Sequence, residues 1–171
     1  MPLSELIEKL CRAYKVAGLK CGDKLLPPAN MDEIDELGRT LELKIPPELR
    51  ELYSIHGGQE YFGAGTLGLF GKHRLHAPSE GIEHHSIYTE CFDAPLLSLE
   101  DINTEENWAP QLIPFASWDK YDLCIDSVSG SVWEFSPNDG VLRVADSIEQ
   151  VLKKLIVQIE RGEEPDAVYK P

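Results

Sequence analysis

The sequence predicts an α+β fold: a mostly antiparallel mixed sheet with helices packed on it, a helical N-terminal third and a C-terminal amphipathic helix. Three observations predict it. Helical periodicity and helix stop signals dominate residues 4–58. Short alternating segments broken by turn signals dominate 111–144. Aliphatic residues at helical spacing then run from Ile148 to Ile159. Helices, then strands, then a helix, with no alternating βα units, argue against a parallel doubly wound sheet.

The first helix is expected over Ser4 to Ala17. Ser4 would cap it, Glu5 and Glu8 suit its positive end, and Leu3, Leu6, Ile7, Leu10, Cys11 and Tyr14 recur on one face. Gly18 is the expected stop. A second helix starts after Pro27-Pro28, with Asn30 as cap and Glu33 three residues on as its capping-box partner. A third begins at Pro46-Pro47, where the missing N–H is harmless, and ends at Gly57-Gly58.

Strands are expected at Thr66–Phe70, at Ala94–Leu99 and at Gln111–Ala116, the last with Pro114 marking an edge or a strand end. The clearest pair is 123–126 with 131–135, a hairpin closed by Ser127 to Gly130. Asn138-Asp139-Gly140 then turns the chain into a strand over 141–144. Ser147 caps the last helix, whose Ile148, Val151, Leu152, Leu155, Ile156 and Ile159 form a stripe that must be buried. One domain spans 1–171, with a core over about 25–161 and a polar, mobile tail over 162–171.

Composition narrows the function. The formal net charge of −14 disfavours nucleic acid, whose phosphates call for Lys and Arg, and disfavours anionic membranes. No apolar run approaches the roughly 20 residues of a membrane span, and the first residues lack a secretory pattern, so the expected compartment is the cytoplasm. The four cysteines form no C-x-x-C pair and are expected as free thiols.

Motifs for chemistry fail on context. Gly63, Gly65 and Gly68 spell G-x-G-x-x-G, but no helix is expected after them, so they read as a loop entering a strand. His73, His76, His84 and His85 crowd Glu80, Glu83 and Cys91, but without the spacing of a zinc motif and in a stretch whose Pro78 and Gly81 read as loop. Asp122 and Asp126 share a strand face, which is weak evidence among so many acids. No G-x-S-x-G elbow is present, and Cys124 sits in a strand pattern. The expectation is no catalytic residues, no cofactor and no metal.

Ile34 to Gly58, with Leu37-Gly38, Ile45-Pro46-Pro47-Glu48-Leu49-Arg50, Leu52-Tyr53 and His56-Gly57-Gly58, resembles the helical signature of the SUKH superfamily. Ile113-Pro114-Phe115-Ala116, Asp122 to Asp126, Gly130-Ser131-Val132 and Val144 to Ser147 extend the resemblance in order and spacing. This family includes a fungal regulator of cell-wall synthesis and many bacterial immunity proteins that neutralise secreted toxins, often nucleases. The resemblance implies an α+β fold, no shared catalytic residues and binding of another protein. The expected partner is a toxin domain with a basic surface; the alternative is a regulatory scaffold of the cell-wall-regulator type.

Between Arg74 and Lys120 there is no Lys or Arg. An acidic surface there would steer a basic partner toward it. The expected partner-binding residues are Glu80, Glu83, Glu90 and Asp93, with Tyr88 and Trp108 as aromatic anchors and Phe92 beside them.

Overall fold

The structure, a computed structural model, describes residues 1–21, 25–61, 66–92 and 108–168. Helices α1 (Leu3–Val16), α2 (Met31–Leu41) and α3 (Pro47–Ile55) come first. A two-residue strand β1 (Arg74–Leu75) and helix α4 (Pro78–Cys91) follow. Strands β2 (Leu112–Trp118), β3 (Tyr121–Asp126), β4 (Val132–Ser136) and β5 (Gly140–Ala145) then lead into α5 (Ile148–Glu160). Among the described residues five strands lie in chain order, each antiparallel to its neighbour. No helix among the described residues is long and apolar enough to cross a membrane.

Alternation along the strands gives the sheet two apolar faces. Leu123, Ile125, Val132 and Phe115 join the larger core with residues of α1, α2, α3 and α5. Cys124, Trp133, Phe135 and Val141 face the other way and pack with Trp108 and with Tyr88 of α4. All six aliphatic residues of the α5 stripe are buried, Leu155 completely. The predicted hairpin is β3–β4, with Cys124 opposite Trp133.

Local signals account for several ends. Asn30 and Glu33 make both bonds of the capping box, at 2.8 and 2.9 Å. Ser147 accepts the Gln150 N–H at 3.1 Å. At α1 the expected cap is replaced: the helix starts after Pro2, and the Leu3 N–H donates to Glu51 of α3 at 3.0 Å. A remote carboxylate does the work of a local hydroxyl because α1 and α3 pack together.

Other expectations are corrected. The stretch after His76 is helix α4, not loop. Pro78 occupies its first turn, and the Glu80 carboxylate accepts the Ala77 N–H at 2.7 Å. Thr66–Phe70 forms isolated bridges and a tight turn instead of a strand. There a side chain on Gly68 would meet the His73 carbonyl, so this glycine serves close backbone approach. Gly63, Gly65 and the expected strand Ala94–Leu99 lie outside the described residues.

Pro114 lies in an inner strand, at a register shift between Pro114 and Ala116, where a ladder tolerates a missing donor. The core also extends beyond 25–161. Helix α1 buries Leu3, Leu6, Ile7, Leu10 and Tyr14, and the tail folds back to bury Ala167. Gln158 holds that tail, accepting the Asp166 N–H at 2.9 Å and donating to the Asp166 carbonyl at 3.2 Å.

Candidate functional site

Helix α4 carries most of the described residues expected to bind a partner, and its geometry sorts them. One face, with Gly81, His85 and Tyr88, turns to the sheet and is buried. The opposite face sets Glu83, Ile87 and Glu90 at i, i+4 and i+7, all exposed. Ile87 is 48% exposed, an aliphatic side chain between two carboxylates on a helix without Lys or Arg.

The other candidates have different surroundings. Glu80 is tied to Arg74 through both terminal guanidinium nitrogens, at 2.5 and 3.3 Å. Burial pushes its carboxyl up, but the bonds from Arg74 and Ala77 prevail and hold it below the ordinary carboxylate range. Tyr88 and Trp108 are core residues. Their rings meet each other at 5.1 Å and Phe135 at 4.6 and 4.9 Å. The Trp108 Nε1–H donates to Thr89 at 3.1 Å. Neither ring has an exposed face to offer a partner. Phe92 is half-buried against Phe135, and Asp93 lies outside the described residues.

Beneath α4 the chain brings together His76, just after β1, His84 of α4 and Asp122 of β3. One ligand atom from each lies within 4.8 Å of the others. His84 Nδ1 is 2.7 Å from Asp122 Oδ2, and the Tyr88 hydroxyl donates to the same oxygen at 3.0 Å. The His76 and His84 rings meet edge to face at 4.5 Å between centroids. His76 and Asp122 are fully buried. Both ring nitrogens of His76 and the Asp122 Oδ1 have no hydrogen-bond partner among the described residues. A buried polar atom left unpaired costs about 1–3 kcal/mol.

The two histidines are poised differently. Burial pushes His76 down to about 4, against the pull of Asp122, so its ring is neutral near pH 7. The Asp122 hydrogen bond raises His84 above the ordinary imidazole value, against the effect of burial.

The remaining histidines of the predicted crowd go elsewhere. His73 lies 3.1 Å from Glu134, and His85 Nε2 lies 2.8 Å from the Pro110 carbonyl. Asp126 is occupied in the hairpin turn, accepting from Val128 N–H at 3.1 Å and Ser129 Oγ at 2.5 Å. Sequence reasoning therefore found His76 and His84 in one group and Asp122 in another. The missing signal was the helix: Gly81, His85, Tyr88 and Phe92 recur at helical spacing, hidden because none of them is aliphatic.

A surface cleft of about 640 Å³ lies elsewhere, lined by Leu19, Leu67, Trp118, Ile159 and Pro165 among others, and holds none of the histidines. The family model described as SMI1 / KNR4 family (SUKH-1) matches residues 28–154. No curated protein matches the chain.

Proposed function

The chain belongs to the SMI1 / KNR4 family (SUKH-1), and from that premise we propose that it is a non-enzymatic immunity protein that neutralises a bacterial toxin by binding it directly. At the level of the family the chain fits a toxin-immunity or regulatory module. The immunity reading adds a surface: the outer face of α4.

One observation carries it. Glu83 and Glu90 flank exposed Ile87 on a helix with no Lys or Arg. Carboxylates of one sign steer a basic surface, and an apolar side chain at their centre gives the contact something to bury. A toxin domain with a basic substrate cleft, such as a nuclease, fits that face. Occupying the cleft with acidic protein denies it to nucleic acid. Glu80 contributes less, because Arg74 already offsets its charge.

The test is growth rescue. The chain is co-expressed with each secreted toxin domain of the same genome. At least one should be neutralised, and the purified pair should associate more slowly as salt rises. Glu83→Lys combined with Glu90→Lys should abolish rescue while leaving the circular dichroism spectrum intact. If no toxin is neutralised, the immunity reading fails and the regulatory one replaces it. If rescue survives the double reversal, another surface is used.

A further inference from the structure

We infer that His76, His84 and Asp122 bind one divalent transition-metal ion of the zinc class, tying the segment after β1 to α4 and β3. This goes beyond partner binding and reverses the expectation of a metal-free protein.

The donor set selects the ion. Two imidazoles and one carboxylate suit zinc, cobalt or nickel, whereas magnesium and calcium prefer oxygen alone. Bonds of about 2.0–2.2 Å around a tetrahedral ion place ligand atoms about 3.4 Å apart. The three donors already lie within 4.8 Å of one another, so small side-chain rotations complete the site. His84, with 31% of its side chain exposed, leaves one side open to water for the fourth position.

The second observation is the set of orphan atoms. A His84–Asp122 ion pair accounts for Oδ2 and Nδ1. It leaves both His76 nitrogens and Asp122 Oδ1 buried without partners among the described residues. A metal uses one His76 nitrogen and a carboxylate oxygen directly. Its positive charge also compensates the fully buried Asp122. The Tyr88 hydroxyl on Asp122 supplies the outer bond that orients a ligating carboxylate. A buried water would satisfy the same atoms but would not saturate at one equivalent of added metal.

The full chain, stripped with chelator, is titrated with Zn²⁺ and with Co²⁺. One equivalent should bind, the melting temperature should rise, and cobalt should show the visible absorption of a four-coordinate nitrogen–oxygen site. His84→Ala and Asp122→Asn should each weaken binding at least tenfold. The Asp122→Asn variant keeps the side-chain shape, so the test survives if His84→Ala folds poorly. Tyr88→Phe should weaken binding roughly tenfold. Cys91→Ser and His85→Ala should leave it unchanged, because the Cys91 thiol is exposed and His85 faces Pro110. Absence of binding at one equivalent overturns the site. So does binding that persists in both His84→Ala and Asp122→Asn.

Discussion

Gly81 and Pro114 hold α4 against β2: a methyl group on Gly81 would stand 2.6 Å from the Pro114 carbonyl oxygen. That distance is well inside van der Waals contact, and the obstacle is backbone, which cannot rotate away. The glycine that reads as a helix breaker in the sequence is therefore what lets a helix lie on the sheet. The approach also brings His84 over Asp122.

Gly81→Ala should destabilise the protein although alanine is the better helix former. The propensity gain is about 1 kcal/mol, and overpacking costs about 1–3 kcal/mol. A net loss on the order of 1 kcal/mol, at most about 2, is expected in urea denaturation. A variant as stable as the parent would show that α4 shifts at no cost.

Leu155→Ala removes a fully buried side chain from the α5 stripe. The expected loss is about 2–5 kcal/mol. The urea midpoint should fall at unchanged slope. A loss under 1 kcal/mol would mean that α5 is not seated on the sheet as described.

Glu80→Gln tests the Arg74 pair through pH. The folded carboxyl is held below its ordinary range, so it contributes stability above its unfolded pKa and loses it as pH falls through the lower folded value. Glutamine should cost about 1 kcal/mol at pH 7, modest because a third of the Glu80 side chain is exposed. The difference from the parent should close as pH falls below about 4. A difference independent of pH would indicate a packing effect instead.

Ile87→Ala separates binding from folding. The side chain is half exposed, so stability should change by less than about 0.5 kcal/mol. Affinity for the neutralised toxin should drop at least tenfold, about 1.4 kcal/mol. Unchanged affinity in a biosensor measurement would remove α4 as the contact.

Local rules made several parts legible. The Asn30–Glu33 box, the β3–β4 hairpin and the α5 stripe each depend on neighbours a few residues apart. Helix α4 was not legible, because Pro78 and Gly81 read as breakers and its buried face carries glycine and histidine. The α1 cap was missed for a related reason: Glu51 lies 48 residues from Leu3.

By itself, then, the sequence determined the α+β class, the charge and most element positions, since periodicity states which side of an element is apolar. Tertiary structure decided the surroundings of the candidate residues. It buried Tyr88 and Trp108 against the sheet, left Ile87 outside, and paired Glu80 with Arg74. It also set His84 against Asp122, 38 residues away, with His76 beside them. The physical reason is that convergence of remote atoms depends on how closely elements pack, and here a missing side chain at Gly81 sets that distance.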